Sequence, residues 1–376
     1  MRSLFVTLWF ALIALPVVQA LSPFIWEPPI RENRVLAEFP TISIERPIAG
    51  AKGIVAWFND NFGFRLTLIR MRTEWNYAFG YSDRIHIGPG GWLNYRGVLD
   101  EQKVLNATLT KQQITAIADR FTRLQEYLAK RSTRLLIVSV PQKDVIYPES
   151  LPADAPVYPS PSAFERLRAL LTERFGQDHI DAEPILLHLK AEGIEAFYRT
   201  DFHWTHVAGG EVARAIVNRI ADLEHKPDLR WTEPLPVTHI AMIGGESIEL
   251  PIFDPLSEQT IAVDIDWRNT REGTFQWTNA DAHFQDRYPL NYSFIWRSKR
   301  SGGLPPTAFC TNSYGEAFWY AGTQFHFSKV ETFRVAFPGA TLTSALQNLS
   351  PDSRYFVLQF NETVVPVAAE VDWSRL

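Results

Sequence analysis

With 376 residues, 46% of them hydrophobic and 21% charged, the chain has the make-up of an ordinary globular protein that buries a sizeable core. A net charge of −5, from 37 Lys and Arg against 42 Asp and Glu, argues against sequence-independent nucleic-acid binding, which needs a basic surface. The single cysteine, Cys310, excludes an intrachain disulfide; set in an apolar run, it is expected as a buried strand residue in preference to a catalytic thiol.

Arg2, the apolar run Leu4 to Val18 and the small-residue site Val18-Gln19-Ala20 have the pattern of a secretion signal over residues 1–20. The run falls short of the ~20 residues that cross a bilayer, and Pro16 interrupts it. Cleavage after Ala20 is the preferred reading, with an uncleaved signal anchor as the alternative. Further along, Thr110 and Gln113 form a capping box, after which Ile114, Ile117, Phe121, Leu124 and Leu128 share one helical face. Leu135 to Val140 is a continuous apolar run, the mark of a strand covered on both faces. Ser160 and Pro161 are expected to start the next helix, with Phe164, Leu167 and Leu171 inward and Gly176 at its end. A short strand is expected before Asp181, and a helix with Val212, Ile216 and Ile220 on one stripe after Thr205. From about 225 to 300 the texture changes. Ile261, Val263, Ile265 and Trp267 alternate with Thr260, Ala262, Asp264 and Asp266, which predicts half-exposed strands and a β-rich insertion within a single domain spanning residues 21–376. Phe333 to Phe337 and Tyr355 to Phe360 complete the strands. Alternating strands and helices predict an α/β fold with a doubly wound sheet whose ligand crevice lies beyond the strand C-termini.

Two segments carry candidate chemistry. In Asp201-Phe202-His203-Trp204-Thr205, an extended backbone would point Asp201 and His203 to the same side, where a carboxylate fixes the imidazole tautomer and stabilises the imidazolium. Taken alone, such a pair is more often structural. The second segment, Phe309-Cys310-Thr311-Asn312-Ser313-Tyr314-Gly315-Glu316, has the shape of a strand, a tight turn and a helix. It places Ser313 where a helix N-terminus supplies N–H groups to an oxyanion. The bland alternative is a turn or N-cap serine. His203 and His206 with Asp201 could be imagined as metal ligands, but no further cluster of ligand spacing accompanies them, and no metal is expected. Arg297, Lys299 and Arg300 could attract an acidic polymer, though such runs are more often solvated loops. Among the 12 tryptophans, Trp204 alone is nominated as near the site, where it would suit stacking on a sugar ring.

Together the segments resemble the AlgJ/AlgX-type (alginate) polysaccharide O-acetyltransferases. The resemblance rests on Asp201-Phe202-His203-Trp204 upstream of Asn312-Ser313-Tyr314. It is extended by Phe58 to Arg65, Gly88-Pro89-Gly90-Gly91-Trp92-Leu93 and Val140-Pro141-Gln142-Lys143 through Glu149, covering roughly residues 50 to 360. Thr311 and Asn312 depart from the Gly and Asp or Thr usual in that family. The resemblance implies an SGNH-hydrolase-like fold and an acetyl-serine route with Ser313 as nucleophile, His203 as base and Asp201 as its orienter. Asn312, Tyr314, Trp204 and Lys143 are then oxyanion or pocket candidates, although Lys143 could equally be a surface lysine. It also implies a periplasmic location, or an inner-membrane anchor if the signal is retained, and a polysaccharide acceptor. A membrane-bound acyltransferase would supply the acetyl group, other export proteins would be partners, and no cofactor or nucleic acid is implied. Because that setting is a bacterial envelope, the Asn-x-Ser/Thr sites at Asn106, Asn291, Asn348 and Asn361 carry little weight. The chain ends soon after its last expected strand, without room for a C-terminal carbohydrate-binding module. Two other readings stay open: a polysaccharide esterase or deacetylase with the same three residues, and a catalytically silent scaffold of an export complex.

Overall fold

The unbroken apolar runs pair side by side with both faces covered, as their lack of alternation requires. The computed structural model of the chain describes residues 2–22, 30, 35–42, 47–263, 265, 271–278, 293–335, 341–365 and 368–376. Asp264, Asp266, Trp267, Asn291 and Phe337, named above, lie outside the described residues. The strands are β1 (Ile85–Ile87), β2 (Leu93–Tyr95), β3 (Arg134–Val140), β4 (His179–Asp181), β5 (Val237–Met242), β6 (Glu258–Val263), β7 (Gly273–Trp277), β8 (Phe294–Ser298), β9 (Thr307–Thr311), β10 (Lys329–Arg334) and β11 (Tyr355–Asn361). A seven-stranded sheet has the order β4-β3-β11-β9-β10-β8-β7. Its first five strands are parallel, and β8 and β7 add to one edge antiparallel.

The helices are α1 (Arg2–Leu21), α2 (Pro47–Asn61), α3 (Arg65–Ala78), α4 (Lys103–Ala107), α5 (Lys111–Ala129), α6 (Lys143–Ile146), α7 (Ala163–Phe175), α8 (Glu183–Ala191), α9 (His206–Leu223), α10 (Gly245–Ile248), α11 (Glu316–Tyr320) and α12 (Leu342–Gln347). Two cores sandwich the sheet. On one face Leu136, Val138 and Phe309 meet Val212, Ile216 and Ile220 of α9 and Phe318 of α11. On the other, Leu135, Ile137, Cys310 and Phe356 meet Ile114 and Phe121 of α5 and Leu167 and Leu171 of α7. Cys310 is fully buried, which pushes its thiol pKa far up and leaves it without thiolate character. This is the doubly wound, mainly parallel α/β sheet expected.

The expected capping box of Thr110 and Gln113 starts α5. The helix expected to begin at Ser160-Pro161 begins instead at Ala163, because a second box, Ser162 with Glu165, satisfies both end N–H groups two residues later. The strand expected over 333–337 is centred earlier, on Lys329–Arg334, its buried charged residues having hidden the start. The 225–300 region is β-rich, but only β5 and β6 form a sheet of their own; β7 and β8 complete the central one. Arg297 pairs in register with Lys329, the first residue of β10, so the basic run sits at the strand end opposite the crevice. No helix among the described residues is long and apolar enough to cross a membrane.

Helix α9 approaches α11 through Gly209, where a Cβ would lie 2.3 Å from the Ala317 Cβ and 2.9 Å from the Trp204 indole nitrogen. Gly209→Ala is therefore expected to cost about 1–3 kcal/mol through overpacking. The check is urea unfolding followed by far-UV circular dichroism, and an unchanged midpoint would contradict the packing described.

Candidate active site

The C-terminal ends of the parallel strands open on a cleft of about 620 Å³ that is lined by Asp201, Phe202, His203, Ser313, Tyr314 and Glu316, among others. Ser313 follows β9 directly. Asn312 caps the turn: its Oδ1 accepts the Tyr314 N–H at 3.1 Å, and its carbonyl accepts the Gly315 N–H at 3.1 Å and an Arg334 N–H. Burial lowers the Arg334 pKa to about 10, with the charge of Glu316 opposing. With the two following N–H groups taken by Asn312, the N–H this turn can offer to a ligand is that of Ser313 itself. Asn312 is buried, and its side chain caps the turn without lining the cleft.

The Asp201–His203 stretch is not the extended strand expected. It is a bend closed by an isolated bridge between Phe197 and Trp204, and Asp201 Oδ1 accepts the backbone N–H of His203 at 2.9 Å. That turn, typical of aspartate accepting from a residue two places on, brings the side chains together: His203 Nδ1 lies 2.6 Å from Asp201 Oδ1. The other carboxylate oxygen accepts the Gly245 N–H at 2.6 Å. Burial alone would raise the Asp201 pKa, but the charge and hydrogen bonds of His203 and the Gly245 N–H hold it well below the usual carboxylate range. The opposite ring nitrogen, His203 Nε2, is buried and has no hydrogen-bond partner. Ser313 and His203 share the cleft without a hydrogen bond between them, and such contacts often tighten only when substrate binds.

Trp204 borders the cleft, as expected of a residue near the site, but at 1% exposed it offers no face for stacking on a sugar. It joins the two segments, its indole Nε1–H donating to the Tyr314 carbonyl at 2.8 Å across 110 residues of sequence. Tyr314 answers by donating its hydroxyl to the Phe202 carbonyl at 2.8 Å, while its ring lies 5.1 Å from the imidazole of His203. Lys143 is neither a surface residue nor a lining one. It is buried under the loop, where Nζ donates to the carbonyls of Tyr198, Arg199 and Asp201 at 3.0–3.3 Å. Burial pulls its pKa down. His206 stacks on Tyr320 with ring centroids 4.3 Å apart, and burial drops its pKa to about 4. No cluster of potential metal ligands is found among the described residues.

Sequence reasoning missed the floor of the site. Glu258, the first residue of β6, accepts the Arg199 and Thr200 N–H groups and the Thr200 hydroxyl. Gly244 and Gly245 pass so close that a Cβ on Gly244 would lie 2.1 Å from the Thr200 carbonyl oxygen. The adjacent pair Gly244-Gly245 ahead of Glu246 was the available signal. Glu246 itself is buried, which pushes its pKa up to about 8 from 4.5, with Lys143 opposing and Asp201 adding to the shift.

A parallel sheet with a serine turn at a strand end and an Asp-His pair facing it defines an SGNH-hydrolase-like protein. Residues 85–237 match the family described as "SGNH hydrolase-like domain, acetyltransferase AlgX", which agrees with the resemblance carried by the motifs. The match includes Asp201 and His203 and ends before Ser313. No curated protein matches the chain significantly. Among solved structures, the O-acetyltransferase domain of Pseudomonas putida AlgJ is 18% identical, with a TM-score of 0.46 over 78% of this chain and 95% of that one. Bacillus cereus PatB1 is 11% identical, with a TM-score of 0.49 over 71% and 95%. Pseudomonas aeruginosa AlgX is 13% identical, with a TM-score of 0.44 over 76% and 66%.

The Glu246 carboxyl gives a pH test. Its folded pKa is raised, so the folded chain holds this proton up to about pH 8, whereas the unfolded chain releases it near 4.5. The stability it contributes is complete below 4.5 and is lost as pH rises through 8. Glu246→Gln removes that dependence, so the melting temperature of the variant relative to wild type should climb by several degrees between pH 5 and pH 8.5. A difference that stays constant across that range would refute the assignment.

Proposed function

We propose that the protein is an O-acetyltransferase that moves acetyl groups to hydroxyls of an exported polysaccharide through an acetyl-serine intermediate. The observation that carries this reading is the shared cleft. In it, Asp201 fixes His203 Nδ1, the far nitrogen of His203 stands unpartnered, and Ser313 sits on the strand-end turn. The acetyltransferase description of the matched family supports it.

Ser313 Oγ attacks the acetyl carbonyl of the donor and passes its proton to His203 Nε2. The tetrahedral oxyanion lies against the Ser313 N–H, and the donor oxygen leaves with the proton from His203, giving acetyl-Ser313. A sugar hydroxyl then gives its proton to His203 and attacks the acetyl carbon. Ser313 leaves and takes the proton back, and the ester is on the sugar. Asp201, held ionised by His203 and Gly245, keeps the imidazole in one tautomer and stabilises its charged form. In the cell the acetyl groups arrive from a membrane-bound acyltransferase, and the protein works in the periplasm among other polysaccharide-export proteins after export through its N-terminal signal.

Ser313→Ala and His203→Ala should each reduce acetyl transfer from an activated acetyl ester to oligosaccharide at least about 10³-fold, with Asp201→Asn leaving more residual activity. Steady-state rates on variants with unchanged circular dichroism are the measurement. Full turnover by folded Ser313→Ala would remove the nucleophile assignment, and acetyl release that no saccharide diverts from water would make the protein an acetylesterase.

A further inference from the structure

The charges around the cleft restrict the acceptor. Glu316 stands three residues after Ser313 and lines the same space; burial pushes its carboxyl pKa up, with the charges of Arg334 and then His203 opposing and that of Asp201 adding to the shift. Glu249 lines it too, at the end of α10, and pairs with Arg84. With Asp201, three carboxyl groups line one cleft, and Glu246, which burial keeps protonated up to about pH 8, adds no charge to them. Among the described residues that line it there is no Lys or Arg. The nearby cations are turned to other work. Arg334 donates to the Asn312 carbonyl behind the turn while its charge acts on Glu316, Lys143 donates to three backbone carbonyls beneath the loop, and Arg297 lies at the far end of the strands. The uncharged part of the wall is aromatic, with Tyr95, Phe202 and Tyr320 each partly exposed. Such faces suit the C–H surface of a sugar ring and carry no charge preference of their own.

An incoming carboxylate would enter a partly dehydrated space beside Asp201 and Glu316, where like charges repel much more strongly than in bulk water. It would also meet none of the bidentate cationic partners that carboxylate recognition employs. A neutral hexose or N-acetylhexosamine meets no such penalty, and its hydroxyls find acceptors in the same acidic side chains. We propose that the cleft selects a neutral sugar acceptor and rejects a uronate, the acidic residues around Ser313 acting as the element that discriminates against anionic polymers. This rests on the acyl-transfer reading for the identity of the ligand as an acceptor, but the charge selection is measurable without turnover.

The test is isothermal titration of full-length Ser313→Ala with a panel of neutral tetrasaccharides (glucan, galactan and N-acetylglucosamine oligomers) and with mannuronate and glucuronate tetrasaccharides of equal length. At low salt the best neutral oligomer should bind at least about tenfold more tightly than either uronate. The gap should narrow severalfold in 0.5 M salt, and narrow likewise when Glu316→Gln is added. The salt series needs no further substitution and reads the same electrostatics if the double variant fails to fold. Uronate binding equal to or tighter than neutral binding, or no binding of any oligomer, overturns the inference. If neutral oligomers bind as expected while the wild-type protein transfers acetyl to none of them, the acetyltransferase reading fails and the charge selection stands.

Discussion

Two reciprocal hydrogen bonds between segments 110 residues apart hold the site together: the Trp204 indole to the Tyr314 carbonyl, and the Tyr314 hydroxyl to the Phe202 carbonyl. The first is buried, so losing it leaves a polar group unsatisfied at a cost of about 1–3 kcal/mol, and the second is part-buried. Their spacing explains why the bulky residues directly after His203 and directly after Ser313 are both aromatic with a polar tip. Each fills the core beside its neighbour and fixes, by one hydrogen bond, where that neighbour's side chain stands. The packing of Gly209 against Ala317 and Trp204 brings α9 and α11 close enough for this to happen.

Beneath this lock lies a layer of buried charge that holds the Asp201 loop from below. A loop with a bent backbone must satisfy its N–H and C=O groups without a strand neighbour. Here Lys143 takes three carbonyls, and Glu258 takes two N–H groups and a hydroxyl. The third donor to Asp201, after the ring and backbone of His203, is the backbone of Gly245, a position no side chain could share because a Cβ there would lie 2.9 Å from the carboxylate. The Asp201 carboxylate is thus oriented by backbone and imidazole together, and its depressed pKa follows from those contacts and not from exposure to solvent.

Much of this was legible in the sequence, and the gaps have physical causes. The unbroken run Leu135 to Val140 and the capped helix after Thr110 identified the sheet and one of its covering layers, because apolar continuity and cap chemistry are local. The turn at Ser313 was legible for the same reason. The strand Lys329–Arg334 was placed late, since Lys329, Glu331 and Arg334 are buried charged residues that a periodicity reading assigns to the surface. Trp204 was taken for a sugar platform and Lys143 left between pocket and surface, since a side chain's partners depend on the fold around it. Gly245, Glu246 and Glu258 escaped notice because they reach the Asp201 loop across 44 to 59 residues of chain. The adjacent glycines Gly244 and Gly245 are the one local trace of that approach, and they do not say what comes close.

The account stands or falls on whether Ser313 becomes the acyl carrier when His203 and Asp201 are in place. The most direct measurement is rapid-quench peptide mass spectrometry of the full-length protein after brief exposure to an activated acetyl ester without acceptor. The account predicts a 42 Da addition, the acetyl mass expected for covalent catalysis, confined to Ser313, lost on adding acceptor sugar and missing from His203→Ala. Acetylation spread over surface lysines with Ser313 unmodified, while the ester is still turned over, would contradict it.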